Sequence, residues 1–197
     1  KPCRLKIRYV LRQTPQSADF VLLDEEQQTQ LRSAAASMTW TSRQARPELA
    51  AAASIVAGSF PTPRIKDAKI ANAAIQDVKQ RGLTMVLWSI PEDDLRGVLI
   101  ADAAFDPKGI TPSQHGYLVG FSTPALAKGH RAKISLMTWK SRRLHRQAAS
   151  SLLNETLSYS KSVSALLWVM SLDRSLRFTG WKHGEPLFPK LRVSEPP

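Results

Sequence analysis

The sequence predicts a mixed α/β chain in which a small helical segment precedes a sheet with a helix packed on it. Three observations carry this. Alanine-rich stretches with apolar residues at helical spacing fill residues 25–82. From Leu83 the spacing becomes that of strands. Strands, one long helix and a last short strand then follow, the pattern of a helix layer on a sheet. The expected divisions are a basic N-terminal strand or arm over 1–24, a helical segment over 25–82 and the α/β unit over 83–197.

The opening CRLKIRYVL alternates, with Cys3, Leu5, Ile7 and Tyr9 on one side and Arg4, Lys6 and Arg8 on the other. Period two with one charged face reads as a half-buried strand. Asp24 is placed to N-cap a helix, with Gln27 at the capping-box position, and that helix runs to about Ser42. Pro47 suits the first position of a second helix, Glu48 complements its positive end, and Gly58 stops it. A third helix over 64–81 carries Ile65, Ala68, Ala71, Ile75 and Val78 at helical spacing, with Lys66, Lys69, Lys79 and Arg81 outward and Gly82 after it. LTMVLWSI and LRGVLIADA, around a PEDD turn, read as an antiparallel hairpin. GYLVGFS and ISLMTWK are two further strands joined by a loop containing Gly129, 147–172 is a long helix, and KLRVSE is a short final strand.

Charge is the strongest compositional signal: 28 Lys and Arg against 16 Asp and Glu, a net +12. Between Asp106 and Glu155 stand Lys108, Lys128, Arg131, Lys133, Lys140, Arg142, Arg143 and Arg146, with no carboxylate among them. Surface pairs cannot neutralise such a segment from within, and a polyanion is its natural complement. The N-terminal Arg4, Lys6 and Arg8 add to the candidate nucleic-acid contacts. No run of about 18 apolar residues exists to predict a membrane helix, and no basic amphipathic helix with a bulky aromatic face stands out, so no membrane partner is expected. One cysteine, Cys3, excludes an internal disulfide, and the four histidines lack zinc-ligand spacing. The chain opens on Lys1, as a processed form, a trimmed form or a fragment would.

Two acids are candidates for chemistry. Asp102 ends the apolar run GVLIADA, where a carboxylate projects from a strand tip. Glu155 lies on the long helix between Leu152 and Tyr159, beside the expected apolar stripe. Such a pair can hold a hard cation such as magnesium, although solvated or capped carboxylates are the commoner outcome at such positions.

The order of the pieces resembles the end of the polymerase polyprotein of copia-type LTR retrotransposons, the connection segment followed by the RNase H domain. LRSAAASMTWTSRQARPELAAAASIVA resembles the connection block through Arg32, Ser33, Trp40, Arg46, Pro47 and Leu49, with Glu48 for the usual Asp. ADAAFDPKGITPSQHGYLVGF matches the next block through Asp102, Ala103, Phe105, Ser113, Gln114, Gly116 and Tyr117. WKSRRLHRQAASSLLNE matches the third through Trp139, Ser141, Arg142, Arg143, Arg146, Ser151 and Glu155, with Asn154 for the usual Ala. The resemblance implies an RNase H-like mixed sheet with a packed helix. It also implies that Asp102 and Glu155 hold the first two positions of an acidic set that binds magnesium against a scissile phosphate.

The same resemblance implies an incomplete site. Where the family has a third acid, an Asp, KLRVSE offers Glu195, one methylene longer than a metal bond of about 2.0–2.1 Å absorbs without readjustment. A fourth acid has no residues to supply it; Asp106 and Asp173 could substitute by chemistry but not by position. The expectation is therefore a non-catalytic RNA-binding structural protein, with no cofactor, in a ribonucleoprotein such as a ribosome, an organellar (mitochondrial) one included. The alternatives are a magnesium-dependent ribonuclease H acting on RNA–DNA hybrids, with Asp102 and Glu155 as ligands, and an inert fragment. Trp40, Trp139 and Trp168 are expected in cores, and Trp181, in the glycine-punctuated FTGWKHGEP, at a partner. Ser150 and Ser151 near His145 have no third residue placed to orient the histidine, which argues against a nucleophilic hydrolase. Asp93, Asp94, Glu25 and Glu26 read as turn and helix-start charges.

Overall fold

The computed structural model describes residues 16–81, 84–104, 113–143, 150–178, 180 and 182. Within them the chain is mixed α/β, with four helices and a three-stranded antiparallel sheet. The expected strands at 3–9 and 190–195 lie outside the described residues, as do Arg4, Lys6, Arg8, Arg146, Trp181 and Glu195.

Helix α1 (Glu25–Gln44) starts where its cap chemistry predicts. Asp24 Oδ1 accepts from Gln27 N at 2.8 Å, and Gln27 Oε1 accepts from Asp24 N at 3.2 Å. Its buried residues Leu31, Ala34, Ala35, Met38 and Ser42 follow one helical stripe. A 3-10 turn, Pro47–Leu49, leads into α2 (Ala50–Ala57), and α3 (Ile65–Gln80) follows. The three helices close on Leu31, Ala35, Met38, Leu49, Ala53, Val56, Ala68 and Ala71. Alanines at four of these positions let the axes approach closely, and the larger side chains each contribute about 1.5–3 kcal/mol by burial. Arg46 locks the unit: its Nη2 donates to the carbonyls of Val78 (2.9 Å) and Arg81 (3.0 Å), and its Nε donates to Glu48 Oε1 at 2.6 Å. A cation thus satisfies carbonyls at the α3 C-terminus.

The strands are β1 (Arg96–Ala104), β2 (Gln114–Ser122) and β3 (Ser135–Arg143), in the spatial order β1-β2-β3. Gly129, at φ 78°, takes the left-handed position in the β2–β3 connection. At the irregularity after Val119 the strands come so close that a Cβ on Gly120 would lie 2.3 Å from the Ser135 carbonyl oxygen.

The expected hairpin between LTMVLWSI and LRGVLIADA does not form. β1 pairs with β2 along its whole length instead, and residues 84–90 form no strand. Trp88 is held by a side chain in place of a ladder: its N–H donates to Ser135 Oγ at 2.8 Å, and that hydroxyl donates to the Trp88 carbonyl at 3.1 Å.

Helix α4 (Ser151–Arg177), N-capped by Ser150, packs on β1 and β2. Asn154 Nδ2 donates to the Ala104 carbonyl (3.1 Å) and Ser158 Oγ to the Asp102 carbonyl (3.1 Å). The spacing explains the match, because four helical residues rise about 6 Å and two strand residues span about 6.6–6.8 Å. The helix therefore runs antiparallel to β1. Its far half meets Gly97, where a Cβ would lie 3.1 Å from Leu166 and 3.3 Å from Met170. Val119, Phe121 and Val169 form the small sheet core beside Leu99, Tyr117, Ala165 and Leu166.

This docking reverses two expectations. The buried face of α4 is Asn154, Ser158, Ser162 and Val169, whereas Leu152 and Tyr159, expected to form an apolar stripe, are 76% and 61% exposed. Small polar side chains there reach backbone carbonyls that leucine could not satisfy. Trp40 and Trp168 are likewise outside the cores, at 67% and 61% exposure, each on a helix face turned from its packing partner. Trp139 is half-buried, and its Nε1 donates to the Ser42 carbonyl at 2.6 Å, joining β3 to α1.

Candidate nucleic-acid interface

β3 is an edge strand of the described sheet; it carries Lys140, Arg142 and Arg143 of the basic ribbon and packs against α2. Cations on an edge strand also discourage pairing by another strand. The structure divides the ribbon into parts with different surroundings. Lys128 and Arg131 are exposed in the β2–β3 connection. Lys133 Nζ sits 4.1 Å from the Trp88 ring centroid, a cation–π contact. The Arg143 guanidinium lies against Gly58, where a Cβ would come within 2.3 Å of its Cζ, so it packs at the C-terminal end of α2.

Lys140 and Arg142 line a cleft of about 700 Å³ between β3 and helices α1 and α2. Arg43, from the end of α1, completes its charge, and no carboxylate lines it among the described residues. Burial, then Arg142, then Arg43 hold the Lys140 ammonium below its usual range. Three cations within mutual influence and without an intervening acid make a strongly anion-attracting surface. Among the described residues, Arg43, Lys140, Arg142 and Arg143 form no ion pair. Gln114 organises the wall: its Nε2 donates to both Ser54 Oγ and Ser141 Oγ, each at 2.9 Å, tying α2 to β3.

Behind the cleft His115 is 1% exposed, and its Nε2 accepts from Arg142 Nε at 3.0 Å. The accepting Nε2 fixes the proton on Nδ1 of a neutral ring. Burial first, then Arg142, Lys161 and Lys140, lower the pKa to about 4. His115 Nδ1 and Asn154 Oδ1 are buried without a hydrogen-bond partner among the described residues.

The acids are arranged differently from the cations. Asp102 is exposed, and its Oδ1 accepts from the adjacent Ala103 N at 2.8 Å. Glu155 is exposed beside a shallow cleft lined by Ala101, Thr156 and Tyr159, which does not include Asp102. Strand alternation directs Asp102 to the face opposite Ala101. No three His, Cys, Asp or Glu among the described residues are grouped to hold a metal.

Arg43 and His115 are site residues that sequence reasoning missed. Arg43 belongs to the helical segment and is brought to the ribbon by tertiary contacts such as that of Trp139 with the Ser42 carbonyl. A lone histidine in an alternating strand carries no sequence signal of its arginine partner. No protein-family model matches the chain, and neither a curated protein nor a solved structure was found similar to it.

Proposed function

We propose that this chain is a non-catalytic RNA-binding structural protein, derived from the RNase H region of a copia-type retroelement and built into a ribonucleoprotein. The observation that carries the reading is the β3 cleft, where Arg43, Lys140 and Arg142 converge with no carboxylate in the lining among the described residues. Three antiparallel strands followed by a long helix support the RNase H-like ancestry that the sequence resemblance implies. The separation of Asp102 from the Glu155 cleft favours grip over hydrolysis.

Fluorescence anisotropy across a salt series tests this. Affinity for RNA falls as salt rises, with a log–log slope of about −0.7 for each phosphate neutralised on a single strand. An Asp102→Asn/Glu155→Gln double variant binds as wild type does, and neither protein cleaves an RNA–DNA hybrid in magnesium. Cleavage by wild type but not by the double variant restores the ribonuclease. An absence of salt-sensitive RNA binding removes the binding protein.

A further inference from the structure

We propose that the cleft between α1, α2 and β3 takes in unpaired nucleotides, so that the RNA bound is single-stranded and threads the β3 edge, rather than a duplex lying across it. This deepens the RNA-binding reading and rests on it.

Size is the first argument. About 700 Å³ falls within the roughly 300–1,000 Å³ of cavities that enclose small molecules, room for a nucleotide or two. An A-form duplex keeps its bases stacked inside and offers a wide, shallow minor groove, which such a recess cannot admit. Unpaired bases splay out and stack on aromatic rings.

The lining supplies what such a nucleotide needs. Trp139 borders the cleft, and its indole is fixed by its bond to the Ser42 carbonyl, which leaves a ring held for stacking. Arg43 and Lys140 approach from α1 and β3, and Arg142 is steadied by the accepting nitrogen of His115. Burial first, and then Arg142 and Arg43, lower the Lys140 pKa, and a phosphate between the three cations relieves the repulsive part. Ser54 and Ser141 accept from Gln114, so each keeps its own hydroxyl proton to donate to a phosphate or 2′-hydroxyl oxygen.

The test compares anisotropy of a single RNA strand of about 12 nucleotides with the same sequence as duplex RNA and as an RNA–DNA hybrid. The single strand is expected to bind about tenfold more tightly than either duplex. Arg43→Ala, on an exposed position of α1, is expected to weaken single-strand binding about fivefold and duplex binding less than about twofold. Lys128→Ala, outside the cleft, lowers both equally and slightly. Thermal melting of each variant confirms that the fold is kept. Photocrosslinking of a 4-thiouridine strand is expected to label Trp139. Equal affinity for single strand and duplex overturns the proposal, as does an Arg43→Ala variant that binds the strand normally. A free nucleoside monophosphate that competes as well as the strand overturns it too. Failure of every RNA form to bind instead overturns the RNA-binding reading beneath it.

Discussion

Replacing His115 by glutamine tests the electrostatics behind the cleft directly. The ring is buried, its Nε2 accepts from Arg142, and it is faced by Arg142 and Lys140 from β3 and Lys161 from α4. Its pKa falls from 6.5 to about 4 in the folded chain. Between those values the unfolded chain binds a proton that the native chain refuses, so stability declines as pH falls from about 6.5 to about 4. Above about 6.5 the residue imposes no penalty, and below about 4 the penalty is complete. At about 1.4 kcal/mol per pH unit the interval is worth about 3 kcal/mol, and we expect about 2 kcal/mol after discounting for solvent reaching the neighbouring cations. Glutamine keeps an oxygen that accepts from Arg142 but does not titrate. Urea melts of both proteins from about pH 4 to about pH 7 isolate the effect, because other titrating groups cancel in the difference. Wild-type stability relative to His115→Gln is expected to fall by about 2 kcal/mol across that range. A pH-independent difference, or an NMR titration of His115 near 6.5, refutes the reasoning.

Two further predictions concern packing. Gly120→Ala places a methyl against the Ser135 carbonyl, with backbone on both sides of the contact, and is expected to cost about 1–3 kcal/mol in urea unfolding. Asn154→Ala and Ser158→Ala each remove a donor from a β1 carbonyl and are expected to cost about 1–2 kcal/mol apiece; hydrogen exchange then accelerates in α4 while α1 and α3 keep their protection.

Much of the secondary structure was legible because it is written in short-range chemistry. Asp24 and Gln27 announce α1, the 3.6-residue spacing of Ile65, Ala68, Ala71, Ile75 and Val78 announces α3, and three of the expected strand runs become β1, β2 and β3. The acid-free ribbon was equally plain, since charge is a property of composition. Pairing and facing were not legible. LTMVLWSI has the alternation of a strand, yet residues 84–90 form none and Trp88 meets the Ser135 hydroxyl instead, because only the assembled sheet decides which run receives a partner.

The long helix shows the same division. Its existence follows from local propensity, but the face it buries depends on what the sheet presents. Here that surface is small side chains and the backbone carbonyls of Asp102 and Ala104, so Asn154 and Ser158 turn inward and Leu152 and Tyr159 outward. By itself the sequence determined the helices, three strands and the basic ribbon, because caps, periodicity and charge act over a few residues. Only the tertiary structure brought Arg43 to Lys140 and Arg142 and kept Asp102 away from Glu155's cleft, because contacts between distant segments are chosen by the shape and hydrogen-bonding needs of the surfaces that meet.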